Sequence, residues 1–283
     1  MCVGGSTTWS SEVKSPRDSY PAQLERYLCA RDIDVDVVNG GVSYYTSAEV
    51  LGAMAFRGVH TQPDIVLIHT AGNDLEPFLS PRPYKADYTH WRVAPIQAQP
   101  DRNMKFVCAW GIPSWTVRLG ALLHFRPKVH TRHALGRQLT FFADSFFSTG
   151  PLETRRTVGL ERNLRSLIAL CRSVGAAPVT ILFRIDPKHP NSCVYWDKRR
   201  TREELANAED RMQKGMAMLN EVMRVVSREL DVPVFPFDEF DAPAEVWVDH
   251  CHLNEEGCRL KAVAIGDFLL EQGLVGRGRR DRR

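Results

Sequence analysis

The sequence predicts an α/β fold with a mainly parallel sheet of about five strands. Three observations lead there. Strand-like and helix-like segments alternate along most of the 283 residues, the pattern that builds strand–helix–strand units. Ile65-Val66-Leu67-Ile68 is an unbroken apolar, largely β-branched run, as expected of a strand buried on both faces. Polar, turn-rich clusters fall directly after strand-like runs, where an open parallel sheet holds its ligands.

The elements follow in order. Cys2-Val3 ahead of Gly4-Gly5-Ser6-Thr7 reads either as a very short first strand or as the remnant of one that starts upstream. In the second case a signal peptide upstream would make the protein secreted; the chain as given reads as cytoplasmic. Leu24, Tyr27 and Leu28 share a helical face with Pro21 near its start. Val35-Asp36-Val37-Val38 predicts a strand. Thr46 and Glu49 have capping-box spacing ahead of Val50 and Met54. Leu160, Leu164, Leu167, Ile168 and Cys171 mark an amphipathic helix ended by Gly175, and Val179–Phe183 is the next strand. Met212, Met216, Leu219, Met223 and Val226 form a core-packing stripe. Val232–Phe237 reads as a last strand, kept short or at an edge by Pro233 and Pro236. Asn254 caps a final helix that runs toward Gly273.

Residues 79–151 break the alternation and are rich in aromatics, which predicts an inserted cap with helices around Trp115–Leu123 and Leu139–Phe147. A helical layer that covers the sheet without a binding role fits the same residues equally well. The domain reading is one unit over 1–275, carrying the 79–151 cap, followed by a disordered basic tail at 276–283.

Composition narrows the function. Hydrophobic residues make up 43% and charged residues 25%, an ordinary globular balance. The formal charge of +3 resides in the tail, where five Arg and one Asp between Arg277 and Arg283 leave the body near −1. A basic body suited to nucleic acid is therefore absent. Seven cysteines without repeating spacing indicate neither a disulfide scaffold nor a zinc CxxC pair, and suit a reducing compartment. The most apolar stretch, Val107–Phe125, is broken by Pro113, Ser114 and Arg118, so no integral membrane segment is expected.

Four clusters follow strands: Gly4-Gly5-Ser6-Thr7, Asn39–Ser47, Ala71-Gly72-Asn73-Asp74 and Asp249-His250-Cys251-His252. Each alone has an ordinary turn or cap reading. Together, and in this order, they resemble the conserved blocks of the SGNH/GDSL hydrolases. The resemblance spans Cys2 to about Leu270. It implies a flavodoxin-like three-layer α/β/α sandwich and an esterase that uses neither metal nor organic cofactor. It places the nucleophile on Ser6, the triad's remaining members on Asp249 and His252, and oxyanion donors on Ser6, Tyr44 and Asn73. Two positions depart from the pattern. Gly5 stands where the family has Asp. Tyr44 stands where it has Gly, so a positive φ there would strain the chain by about 1–3 kcal/mol, with Gly41 as the alternative donor.

The chemistry supports the same residues. A serine hydroxyl needs a base to become a nucleophile. Histidine titrates near neutrality, and an aspartate three residues away in a turn can orient it. The GxSxG elbow, Walker A, GxGxxG and HExxH are absent. A metal on Asp249, Cys251 and the neighbouring histidines lacks an evident further ligand. Cys2 and Cys251 read as small buried thiols, and His69 as a buried, hydrogen-bonded histidine. Arg184 follows a strand and is the candidate for binding an anionic or sugar group, with a rim salt bridge as its other reading. The substrate expected is a small acyl ester, an acetylated sugar or a lipid. O-acyl transfer, or a binding module that keeps the fold, are the other two readings.

Overall fold

The computed structural model describes residues 1–91 and 145–276. Most of the expected cap and the Arg-rich tail lie outside the described residues. Five strands, β1 Cys2–Gly4, β2 Asn39–Gly41, β3 Ile65–His69, β4 Ala177–Ile181 and β5 Val234–Phe235, form one sheet in the order β2-β1-β3-β4-β5, every pair parallel. This is the flavodoxin-like order, with β1 and β3 at its centre.

Side-chain alternation along β3 divides the core. Val66 and Ile68 join Val3 in one buried cluster, while Leu67 joins Cys2, Val179 and Ile181 in the other. On the first face lie α3 Ser47–Phe56, α4 Leu75–Leu79, α5 Val158–Ser173 and α6 Arg202–Glu229. On the second face lie α2 Tyr20–Cys29 and α7 Glu255–Glu271, which pack against each other. A Cβ at Gly266 of α7 would sit 2.5 Å from the Tyr27 ring, so glycine is what lets these two helices approach. The methionine stripe of α6 is buried in the first cluster, as its spacing predicts. Each such side chain contributes roughly 1.5–3 kcal/mol of burial.

The helix signals are realised locally. Both halves of the Thr46/Glu49 box form, and α6 opens with a second box, Thr201/Glu204. Asn254 accepts the Gly257 N–H at 2.9 Å to start α7. Gly175 and Gly273 adopt positive φ just beyond α5 and α7, the left-handed exit that glycine permits.

Three strands differ from expectation. β4 runs over Ala177–Ile181 rather than Val179–Phe183, its start set by the pairing of Ala177 with Ile65 of β3. The second strand is Asn39–Gly41, not Val35–Val38. Its ladder pairs Cys2–Gly4 with Asn39–Gly41, so partner position sets its place, while Val35 and Val37 pack into the second cluster without pairing. The last strand shrinks to Val234–Phe235 at the sheet edge, flanked by Pro233 and Pro236, which have no N–H for a ladder. No helix among the described residues is long and apolar enough to cross a membrane.

Candidate active site

The first cluster sits at the carboxyl end of β1. Gly4 pairs with Gly41 on one side and His69 on the other. A Cβ on Gly4 would fall 2.1 Å from the His69 carbonyl oxygen and 2.3 Å from Thr8 Oγ1, so only glycine can occupy it. The chain then turns at Gly5 into the single-turn helix α1, Ser6–Trp9, with Ser6 as its first residue.

The last cluster is held by a small antiparallel closure. Trp247 bridges Leu253, the Val248 N–H donates to the His252 carbonyl at 2.9 Å, and the Asn254 N–H donates to the Val246 carbonyl at 2.9 Å. Inside this loop Asp249 Oδ1 accepts the Cys251 N–H (2.9 Å) and the His252 N–H (2.8 Å). Its other oxygen, Oδ2, lies 2.7 Å from His252 Nδ1. The ring's far nitrogen, Nε2, lies 2.7 Å from Ser6 Oγ. Residues 246 positions apart thus meet in one continuous chain: hydroxyl, imidazole, carboxylate.

Electrostatics polarises that chain. Burial pushes the Asp249 carboxyl up, but the hydrogen bond and charge of His252 more than offset it and hold Asp249 well below the usual carboxylate range. Burial likewise pulls His252 down, yet the Cys251 thiol and the Asp249 carboxylate raise it above an ordinary histidine. Cys251 is buried, with Sγ 3.6 Å from His252 Nδ1. Burial raises its thiol, and the charges of His250 and His252 bring it down to about 7. The ligating atoms of Asp249, Cys251 and His252 lie within 4.8 Å of one another, the one arrangement among the described residues that could hold a metal. Nδ1 and Oδ2 are already joined by their short hydrogen bond. His250 lies on the other side of Asp249, with Nδ1 3.8 Å from Asp249 Oδ1 and Nε2 3.8 Å from Cys193 Sγ.

The third cluster brings Asn73 beside Gly5, the residue before Ser6. After β3, Ala71 adopts φ 79°, a left-handed elbow at a fully buried alanine that turns the chain toward Gly72-Asn73. The Asn73 amide donates from Nδ2 to the Tyr45 carbonyl at 2.9 Å. A Cβ at Gly5 would stand 2.6 Å from that same Nδ2. The departure at Gly5 therefore has a steric counterpart here: Asn73 occupies the space a side chain would need.

Tyr44 lies in the turn that follows β2, where the Val42 N–H donates to the Gly4 carbonyl. Its φ is 66° and its side chain is 63% exposed. The strained conformation anticipated for a non-glycine residue at this block is present, at about 1–2 kcal/mol. Arg184 is half-buried, its guanidinium 4.9 Å from the Trp247 ring centroid, next to the loop that carries Asp249.

Beside Asp74 of the third cluster, two polar residues that sequence reasoning missed are enclosed here, Glu76 and Lys261. Asp74 accepts the Ser47 N–H and hydroxyl, the Tyr88 hydroxyl at 2.7 Å and the Thr70 hydroxyl, tying the Asn73 loop to α3. Glu76, in α4, is raised by burial to about 8, with the His250 charge opposing. Lys261, in α7, is buried with Nζ 3.1 Å from His69 Nδ1 and about 4.2 Å from the Tyr20 ring centre. His69 is the buried, hydrogen-bonded histidine expected, also near the Thr7 and Thr8 hydroxyls, and burial drives it well below an ordinary histidine.

Lys261 makes a stability prediction. Burial lowers its amine from 10.5 to about 7. Between those values the unfolded chain binds a proton that the folded chain does not, so folding gains stability as pH rises through that window. The cost of burying the charge is fully present below pH 7. Lys261→Met is expected to raise the urea midpoint relative to wild type at pH 6, and by a smaller margin at pH 9. A difference independent of pH would contradict this.

A family model described as the GDSL-like lipase/acylhydrolase family matches residues 2–260. The chain belongs to that family. It is a hydrolase acting on ester bonds. No curated protein matches it. Solved structures share its fold at low identity. EstA, a psychrotrophic esterase from Pseudoalteromonas, is 11% identical with a TM-score of 0.52, over 96% of this chain and 97% of that one. An Axe2 mutant, an acetyl-xylooligosaccharide esterase from Geobacillus, is 16% identical with a TM-score of 0.51, over 96% and 92%. LAE5, an α/β hydrolase from the Lake Arreo metagenome in Spain, is 16% identical with a TM-score of 0.51, over 96% and 93%. The family's three-layer fold is thus the one predicted.

Proposed function

We propose that this GDSL-family hydrolase is a serine esterase that works through a Ser6–His252–Asp249 triad and an acyl-enzyme. The observation that carries the reading is the pair of 2.7 Å contacts that link Ser6 Oγ to His252 and His252 to Asp249. As Ser6 Oγ bonds to the ester carbonyl carbon, its proton passes to His252 Nε2. Asp249 holds the ring's other N–H and stabilises the imidazolium. The carbonyl oxygen becomes an oxyanion, facing the second N–H of the Asn73 amide and the Tyr44 and Ser6 main-chain N–H groups. Collapse breaks the bond to the alcohol, which leaves with the proton from His252. Water then attacks the acyl-enzyme, giving its proton to His252, and release of the acid returns that proton to Ser6.

The substrate proposed is a small acyl ester, an acetylated sugar or a lipid; a structural neighbour is an acetyl-xylooligosaccharide esterase. Arg184 at the loop rim is the proposed contact for its polar part.

A partition experiment tests the acyl-enzyme. Aryl acetates with different leaving groups are hydrolysed in the presence of methanol. One common intermediate gives the same ratio of methyl acetate to acetate for all of them. Ratios that vary with the leaving group, or no turnover, would overturn the reading. Asn73→Ala is expected to lower kcat by about 10²–10³-fold, the usual effect of losing one oxyanion donor, with KM little changed. A loss under about threefold would remove Asn73 from that role.

A further inference from the structure

A cavity of about 590 Å³ lies beside α4, away from the four motif clusters. Its walls combine apolar surface from Phe78, Leu79 and Phe147 with three guanidinium groups, Arg156, Arg200 and Arg211. That volume suits a small organic ligand rather than a lone ion.

The three arginines differ. Arg200 is already paired, with Asp197 Oδ2 at 3.3 Å and Glu204 Oε1 at 3.1 Å. Arg156 and Arg211 meet no carboxylate among the described residues. Arg156 donates to the Phe78 and Ser80 carbonyls, at 3.3 and 2.6 Å, and Arg211 donates to the Gly150 carbonyl. These bonds fix both side chains at the wall without neutralising them. Their Nε atoms are buried without a partner. Burial, and after it the charge of Arg156, lowers Arg211, as expected of two cations that share one space. Fixed guanidinium groups beside an apolar wall, with no carboxylate in contact and only the charge of nearby Asp210 opposing at Arg211, match an anion on an apolar body.

The location adds to this. α4 follows directly on Asn73-Asp74 and ends at Leu79. Five helical residues rise about 7.5 Å, so the Leu79 wall of the cavity lies one short helix along the chain from Asn73-Asp74.

We propose that this cavity binds the oxyanion head, a phosphate or a carboxylate, of an amphiphilic ester substrate, through Arg156 and Arg211. The proposal rests on the esterase reading for the word substrate, but not for binding.

The whole chain is titrated by calorimetry with hexyl phosphate, hexanoate and, as the uncharged control, hexanol. Comparing the first two shows which oxyanion the cavity prefers. Binding of at least one anion and not of hexanol is expected, weakened about tenfold or more in Arg211→Met and partly restored in Arg211→Lys. Equal affinity of wild type and Arg211→Met, or no binding of either anion, would overturn the proposal. In a second arm, p-nitrophenyl esters with a neutral acyl chain are compared with esters that bear a terminal carboxylate or phosphate. Arg211→Met should raise KM about tenfold for an anionic ester and leave the neutral ester within twofold. Equal losses on both would assign Arg211 a structural role and overturn the proposal. If wild type turns over no ester yet shows anion binding that Arg211→Met loses, the cavity stands and the Ser6 reading falls. If esters are hydrolysed without discrimination, the reverse holds.

Discussion

Ser6→Ala is expected to reduce ester turnover by about 10⁵–10⁶-fold, the scale at which losing the nucleophile of a triad removes its partners' contribution as well. The reason is structural. The Ser6 hydroxyl lies 2.7 Å from His252 Nε2, to which it donates in the proposed mechanism, and without the hydroxyl there is no bond through which an acyl group can be held. The fold should survive the change. Ser6 is partly exposed, and the backbone bonds of α1 run from main-chain atoms, with Ser10 N–H donating to the Ser6 carbonyl. Turnover measured on a sample with an unchanged urea midpoint would decide it. Retention of more than a hundredth of wild-type activity would show that another residue attacks the ester.

Asp249→Asn is expected to lower kcat by about 10⁴-fold, or roughly 5.4 kcal/mol of barrier. The loop geometry dictates how. Asp249 Oδ1 accepts two main-chain N–H groups, from Cys251 and His252. An asparagine keeps its carbonyl oxygen on those donors and must turn its NH₂ toward His252 Nδ1. That nitrogen then becomes an acceptor, the ring proton moves to Nε2, and Nε2 can no longer take the Ser6 proton. The loop is preserved while the tautomer is inverted. The expected signature is a large loss in kcat with an unchanged fold, checked by steady-state kinetics beside circular dichroism. A loss under about tenfold would mean that Asp249 only shapes the loop.

Much of the architecture was legible because it depends on local signals. The Thr46/Glu49 and Asn254 caps, the glycine exits at Gly175 and Gly273, and the apolar run of β3 each act within a few residues. The site was legible for a related reason. Ser6, Asn73 and the Asp249/His252 pair each follow a strand or close a turn, and a parallel sheet gathers such ends at one edge. What sequence alone left out depends on distant partners. β2 forms at Asn39–Gly41 because β1 is there to pair with it, and the better strand former, Val35–Val38, meets β1 only at its end, where the Val38 carbonyl accepts the Cys2 N–H. Lys261 occupies a helix position that in isolation suits a solvated lysine. Only the packing of α7 against β1 and β3 brings it to His69. Arg156 and Arg211 are 55 positions apart in sequence and share a wall only through tertiary packing. The strain at Tyr44 was foreseeable from a family position that favours glycine, whereas nothing in the sequence marks Ala71 for the same left-handed region.

In the proposed mechanism one hydroxyl, that of Ser6, is the reacting group. Treating the folded chain with a fluorophosphonate and mapping the adduct by peptide mass spectrometry addresses it most directly. A single phosphonyl group on the peptide that contains Ser6, lost when His252 is replaced by alanine, is the expected result. An adduct on a different residue, or none on a chain shown to be folded, would contradict it.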